Sequence, residues 1–186
     1  MVFTEQSIPG VFSVKLEPIN DERGFFMRAY DADLFKEAGL HHDWVQENHS
    51  YSKVKGTLRG LHFQTSPHTE TKLVRVIQGA VFDVFLDLRS DSPTFGKWGS
   101  YELIAENNEW LYLPKGMAHG MCTLTENMVM QYKVDSHFNP NADSQIKWDD
   151  PELAINWPVT PSVVSEKDTK APSFKHFLDN IGSIKI

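Results

Sequence analysis

The chain has 186 residues, a length that suits one domain. Its 25 acidic residues outnumber its 18 Lys and Arg, and the formal net charge of −7 excludes a protein that coats nucleic acid, which needs a basic surface. A hydrophobic fraction of 40% with one cysteine excludes general disorder and an intrachain disulfide. Because the sequence has neither an apolar run of about 18 residues nor a secretion signal, we expect a cytoplasmic protein without membrane contact.

In the first two-thirds of the chain, Gly and Pro recur at short, even intervals, which is typical of an all-β sandwich or barrel. The first regular element is a helix predicted over Asp31–Ala38, capped by its first residue and stopped by Gly39. Strands are predicted over Lys72–Ile77 and Ala80–Leu88, and the Gln78-Gly79 pair between them indicates a hairpin.

The later elements continue the same pattern. Trp110–Pro114 and Met128–Val134 are predicted strands, and Ser173–Leu178 is a predicted short helix. Residues 151–186 begin with a Pro-rich stretch, which we interpret as a C-terminal wrap over the sheet. The prediction is therefore one domain over residues 1–186, an antiparallel β-sandwich or jelly roll with a few short helices.

Polar residues on otherwise apolar strand faces mark the candidate site. His62 shares one face of its strand with Leu58, and Tyr132 shares one with Met130 and other apolar residues. Such polar groups point into the sandwich, where ligands commonly bind. Arg59 has the opposite parity, so it converges with His62 only if Gly60 carries a bulge or Arg59 lies at a strand end.

Seven stretches of sequence together resemble the dTDP-4-dehydrorhamnose 3,5-epimerase family of nucleotide-sugar epimerases. The resemblance implies a cupin-type jelly roll, a homodimer, and catalysis without a metal or dissociable cofactor. It also implies an isomerase of deoxysugar and cell-surface polysaccharide biosynthesis. The matching stretches span most of the chain: Asp21–Phe26, Gln46–Ser50, Gly56–Gln64, Asp87–Gly96, Pro114–Gly120, Trp148–Pro151 and Ser165–Asp168.

The resemblance further implies a reaction on a 4-keto sugar, in which C3 and C5 both carry a hydrogen next to the ketone. His62 is then the expected base, with Asp168 holding its imidazole ring. Tyr132 is the expected general acid on the opposite face of the sugar. Lys72 and Arg59 are expected to stabilise the enolate oxygen.

Substrate-binding residues are also implied by the resemblance. Arg23 and Phe26 are expected to reach the site from the partner subunit, because an Arg fork suits a diphosphate and an aromatic ring can stack on a base. The other substrate-binding candidates are His119, Gln46, Asn48, Arg28, Phe138 and Lys167.

Three positions depart from the family pattern. Arg28 stands where the family commonly has Glu, which opens the alternatives of a GDP- or CDP-linked substrate, including a 4-keto heptose. Phe138 stands where the family commonly has a second Tyr, which opens the alternative of inversion at C3 alone. Glu70 stands where the family commonly has Gln, close to Lys72.

A metal-dependent cupin is the main rival interpretation, because Pro114-x-Gly116-x-x-His119 fits the second cupin motif. Against it, Gln64 is a poor ligand two residues after His62, and Lys72 adds a repelling cation. A sugar-binding module without catalysis is a third class, although a binder needs no base, acid and cations together. The further metal-donor candidates are His68 and Glu70.

Two residues stay open between structural and functional roles. His119 either caps the turn that follows Gly116 or lies in the site. Asp83 is either a partner of a site histidine or a buried, satisfied polar residue of the core.

Overall fold

Fourteen strands form two facing sheets and a small separate hairpin in the computed structural model, which describes residues 1–186. The first sheet contains β1 (Val2–Glu5), β2 (Phe12–Lys15), β5 (Gln46–Ser52), β7 (Lys72–Gln78), β10 (Glu109–Leu113) and β12 (Met128–Val134). The second contains β6 (Thr57–Gln64), β8 (Ala80–Asp87), β9 (Trp98–Ile104), β11 (Met117–Thr123), β13 (Asp143–Gln145) and β14 (Val163–Val164).

The order of the strands in the first sheet is β1-β2-β10-β7-β12-β5. In the second sheet it is β13-β6-β11-β8-β9, and β14 lies parallel to β6. The other pairings are antiparallel, which confirms the predicted fold class.

The remaining elements are short. The separate hairpin joins β3 (Ile19–Asp21) to β4 (Gly24–Phe26), and a 3₁₀ turn covers Ala105–Asn107. The helices are α1 (Ala32–Glu37), α2 (Glu166–Thr169) and α3 (Phe174–Asn180). The longest has seven residues, and none combines the length and apolar character needed to cross a bilayer.

The helix predictions are confirmed by their caps. The Asp31 carboxylate accepts hydrogen bonds from the backbone N–H groups at the start of α1, and the helix ends before Gly39, which has a φ of 71°. The Ser173 hydroxyl accepts a hydrogen bond from the His176 N–H at the start of α3. The starts of these helices could be predicted from the sequence, because each cap is made by the residue directly before its helix.

The predicted hairpin between β7 and β8 is wrong, although both strands lie where they were predicted. β7 pairs with β10 and β12 in the first sheet, whereas β8 pairs with β11 and β9 in the second. Gly79 therefore makes a corner between the sheets, with a φ of 80°. A Cβ there would lie 2.3 Å from the Thr125 hydroxyl oxygen.

The core lies in layers on both sides of each sheet. Between the sheets, residues such as Val76, Phe85 and Leu111 form one buried cluster. A second cluster covers the outer face of the second sheet, where the C-terminal residues Leu153, Phe174, Phe177 and Ile184 pack on it. A third lies on the outer face of the first sheet beneath α1 and includes Trp110 and Phe35.

Candidate active site

A cavity between the two sheets divides into two adjoining compartments of about 170 and about 310 Å³. Three residues line both compartments: His62, Lys72 and Tyr132. The smaller compartment is also lined by Ser50, Arg59, His119, Gly120, Met121 and Met130. The larger one is also lined by Gln46, Asn48, Phe63, Gln64, Glu70, Val134, Phe138, Asp143 and Lys167.

The candidate base and acid come from opposite walls. His62 lies on β6 in the second sheet, and Tyr132 lies on β12 in the first. Facing sheets pack about 10 Å apart, which leaves room for a flat substrate between side chains that project from each. The two groups can therefore approach one substrate from opposite faces.

A bulge in β6 brings Arg59 and His62 to the same cavity, which is one of the two arrangements that their opposite parity allowed. On β11, His119 and Met121 are two residues apart, but their partners on β6 are His62 and Arg59, which are three apart. The extra residue falls at Gly60, whose φ is 116°, and a Cβ there would lie 2.5 Å from the Gly120 Cα. Only Gly fits at this contact.

His62 and Asp168 form the first of two His–Asp pairs, with 2.5 Å between His62 Nε2 and Asp168 Oδ1. The other Asp168 oxygen accepts a hydrogen bond from the Ser165 hydroxyl at 2.8 Å. Burial raises the pKa of Asp168, but the contacts with His62, Ser165 and the Gly60 N–H outweigh burial, so that the pKa lies below its ordinary value. Asp168 stays ionised and leaves His62 Nδ1 available to a substrate.

His119 and Asp83 form the second pair, with 2.8 Å between His119 Nε2 and Asp83 Oδ2. Asp83 is completely buried, and its Oδ1 has no hydrogen-bond partner. Burial raises the pKa of this carboxyl, although His119 and Lys72 oppose the change. The structure thus places His119 in the cavity wall and makes Asp83 the partner of a site histidine.

Lys72 and Arg59 supply the cations of the cavity. The Lys72 ammonium lies 3.0 Å from Glu70 Oε1, and both side chains are mostly buried. The Arg59 guanidinium donates to the Tyr51 carbonyl at 3.2 Å and to the Ser52 hydroxyl at 3.4 Å, both on β5. Two fixed cations therefore border the smaller compartment, where they can stabilise an oxyanion.

Four of the predicted substrate-binding residues lie together in the larger compartment: Gln46, Asn48, Phe138 and Lys167. The Gln46 side-chain oxygen accepts a hydrogen bond from the Phe138 N–H at 2.9 Å. Lys167 forms an ion pair with Asp143.

Arg23, Phe26 and Arg28 do not line the cavity of their own chain. Arg23 lies at the tip of the β3–β4 hairpin and pairs with Asp21 at 2.6 Å, and the Phe26 side chain is exposed. Arg28 pairs with Asp31 at 2.8 Å. These residues can meet a substrate only at a site outside the cavity described for this chain.

The donors named for a metal site do not converge. His62 and His119 each bind a separate aspartate, and Glu70 faces Lys72. No group of three or more His, Cys, Asp and Glu side chains is placed to hold a metal ion.

Sequence reasoning missed Ser50 as a cavity residue. It lies on β5 at a spacing of two from Asn48 and four from Gln46, so all three share one strand face. The period of two was therefore a usable signal. Glu70 was considered as a departure from a family pattern and as a metal donor. Its contact with Lys72 was not predicted, because that contact depends on the path of the loop before β7.

The fold places the chain among the cupin-type β-sandwiches. A histidine and a phenol on opposite walls of one cavity suit an isomerase that works by proton transfer. The model of the dTDP-4-dehydrorhamnose 3,5-epimerase family matches residues 5–176. The Shigella flexneri dTDP-4-dehydrorhamnose 3,5-epimerase is 43% identical over 168 residues, covering 90% of this chain and 92% of the relative. The chain belongs to the dTDP-4-dehydrorhamnose 3,5-epimerase family.

Two solved structures show the similarity in three dimensions. A dTDP-6-deoxy-D-glucose-3,5-epimerase from Legionella pneumophila, in complex with dTDP-4-keto-L-rhamnose, has a TM-score of 0.91 at 37% identity, covering 100% of this chain and 98% of the other. A 3′-monoepimerase from Streptomyces bikiniensis, in complex with dTDP-quinovose, has a TM-score of 0.87 at 30% identity, covering 97% of this chain and 91% of the other.

Proposed function

We propose that the protein epimerises C3 and C5 of a dTDP-linked 4-keto-6-deoxy sugar through an enolate. The observation that carries this proposal is the placement of His62 and Tyr132 on opposite walls of one cavity, with Lys72 lining both of its compartments. The substrate class comes from the family and from the dTDP-sugars named for its relatives.

The first step is proton abstraction by His62. Nδ1 takes a proton from C3 or C5, and the electron pair of the broken C–H bond moves toward C4 to give an enolate with its charge on O4. The imidazole becomes cationic, and the ionised Asp168 at 2.5 Å from Nε2 stabilises that new charge.

The developing charge on O4 needs fixed cations. Lys72 and Arg59 border the smaller compartment, so O4 is expected to lie between them. Because both side chains are already held by protein groups, little reorganisation is needed when the enolate forms.

The second step is proton return by Tyr132. Its phenol donates a proton to the same carbon from the first sheet, which is the face opposite His62, and the configuration inverts. Afterwards His62 holds the abstracted proton and Tyr132 is a phenolate. Exchange with solvent resets both groups, so solvent hydrogen enters the product.

We also propose a homodimer in which Arg23 and Phe26 complete the partner's site. The support is the exposed β3–β4 hairpin, where Phe25 and Phe26 are 61% and 70% exposed, a high fraction for aromatic rings. Arg23 lies on the same hairpin and can reach a diphosphate there. If light scattering finds a monomer at a micromolar concentration at which the protein is fully active, this arrangement is wrong.

Inversion at C3 alone is the second candidate. Phe138 borders the larger compartment without the hydroxyl that the family commonly presents, and the chain is similar to a 3′-monoepimerase. A hydroxyl at this position could orient the sugar or relay a proton to a second centre.

One experiment tests substrate and regiochemistry together. The protein is incubated in D₂O with 4-keto-6-deoxy sugars linked to dTDP, GDP and CDP, and products are followed by NMR. We expect deuterium at C3 and C5 of the dTDP sugar with inversion at both. Deuterium and inversion at C3 alone support the second candidate, and a protein that exchanges no carbon-bound hydrogen in any of the sugars contradicts both.

A further inference from the structure

Glu70 lies in the wall of the larger compartment, two residues before Lys72. Its Oε1 is 3.0 Å from the Lys72 ammonium, and its Oε2 accepts a hydrogen bond from Gln64 Nε2 at 3.2 Å. The Glu70 side chain is only 14% exposed, so both oxygens are directed to protein donors in a mostly buried setting. Each carboxylate oxygen of Glu70 therefore already contacts one side chain of the protein.

Gln64 is itself fixed by the backbone around it. Its side-chain oxygen accepts the Asn139 N–H at 2.7 Å. Its Nε2 lies 3.1 Å from the His68 carbonyl oxygen and 3.3 Å from the His137 carbonyl oxygen. The residue is 4% exposed, so Glu70 is anchored to a rigid group rather than to a mobile surface side chain.

Lys72 needs such an anchor, because an ammonium on a four-carbon stem has many rotamers. Glu70 is its one ion-pair partner in the structure, and no other side chain fixes Nζ. The ammonium carries three N–H groups. Glu70 holds the cation through an ion pair at 3.0 Å, which leaves N–H groups of the ammonium for the substrate.

We propose that Glu70 is a positioning residue, which holds Lys72 Nζ in the wall between the compartments so that it meets the enolate oxygen. This inference rests on the proposed function, in which Lys72 stabilises O4. It assigns a role to the contact chain that runs from the loop around Phe138 through Gln64 and Glu70 to Lys72.

Three variants test the inference: Glu70→Ala, Glu70→Gln and Glu109→Ala. In Glu70→Gln an amide oxygen can take the place of Oε1 beside Lys72, and Gln64 Nε2 keeps its two carbonyl acceptors. The variant therefore removes the charge and offers the ammonium an acceptor at the same place. Glu109 is the matched control, because it is also 14% exposed and forms an ion pair with Lys15 at 3.5 Å. Neither residue lines the cavity.

We expect Glu70→Ala to lower kcat for deuterium exchange by about 10- to 100-fold with KM little changed, the scale of a misplaced catalytic group. Glu70→Gln should recover most of that loss, and Glu109→Ala should match the wild type. Wild-type kcat in Glu70→Ala, a loss confined to KM, or a Glu70→Gln variant as slow as Glu70→Ala would each overturn the inference.

A crystal structure of Glu70→Ala gives a second measurement that does not depend on turnover. We expect Lys72 Nζ to leave its wild-type place, and an ammonium that stays there overturns the inference. A wild type without exchange would contradict the proposed function instead, and the position of Lys72 would still decide the role of Glu70.

Discussion

The two His–Asp pairs use the same chemistry in different surroundings. Asp168 has partners for both oxygens, and these contacts lower its pKa in spite of burial. Asp83 is completely buried with one oxygen unpaired, and its pKa is raised. The contacts of Asp168 keep it charged, so it can stabilise a cation that forms on His62 during the reaction. Burial opposes the charge on Asp83 in spite of His119 and Lys72. We therefore expect the first pair to take part in proton transfer and the second to orient the His119 ring.

Removing the base should give the largest effect. We expect His62→Ala to lower deuterium incorporation by roughly 10²- to 10⁴-fold, the usual contribution of a positioned general base. Nucleotide binding should survive, because the diphosphate is held elsewhere. NMR in D₂O measures the exchange, and His176→Ala, on an exposed part of α3, is the control. Exchange at the wild-type rate in His62→Ala would refute the assignment of the base.

Tyr132→Phe should separate deprotonation from inversion. His62 can still remove the proton, so C–H exchange continues with return from the same face. Net inversion should fall by about 10²-fold or more, the scale for loss of a positioned acid. A single NMR time course gives both rates. If inversion proceeds at the wild-type rate, the acid is another group.

Asparagine at each aspartate tests the comparison directly. Asp168→Asn should lower the exchange rate by about 10²-fold, since the ring loses both its orientation and its countercharge. Asp83→Asn should cost about tenfold or less, because only the orientation of His119 is at stake. Equal losses in the two variants would show that the pairs share one role.

The same two variants should have opposite pH dependence of stability. The folded-state pKa of Asp168 is lowered, so its contribution is present above the ordinary carboxyl pKa and is lost as pH falls through the lower folded value. The advantage of the wild type over Asp168→Asn should therefore shrink as the pH falls below about 4.

For Asp83, the folded-state pKa is raised, so the cost of its charge grows as pH rises above the ordinary value. The wild type should lose stability relative to Asp83→Asn over that range. Urea unfolding at a series of pH values measures both differences. Parallel curves for the two variants would contradict the opposite shifts.

Much of the fold was predictable where the signal is local. The caps of α1 and α3 and the alternation in β12 depend on adjacent residues, and the structure confirms them. The pairing of β7 was not predictable, because alternation and a glycine do not specify which strand lies alongside.

The candidate site also has residues that could be predicted from local pattern and residues that could not. Strand parity was enough to predict that His62 and Tyr132 face inward. For Arg59 it allowed either a bulge at Gly60 or a strand end, and the structure has the bulge. The partner of His119 needed the register of two strands, since Asp83 lies opposite Met121 rather than opposite the histidine itself. Arg23 could not be placed, because its proposed role depends on a second chain.

The position of His62 and Tyr132 on different sheets makes the gap between them a property of the core. Phe85 and Leu111, both completely buried, lie in the cluster that holds the sheets apart. Interiors are close-packed, so a change of one methylene in such a residue shifts what rests on it. Substitutions in the core, at residues that never contact a substrate, can thus widen or narrow the space in which the configuration of a sugar carbon is inverted.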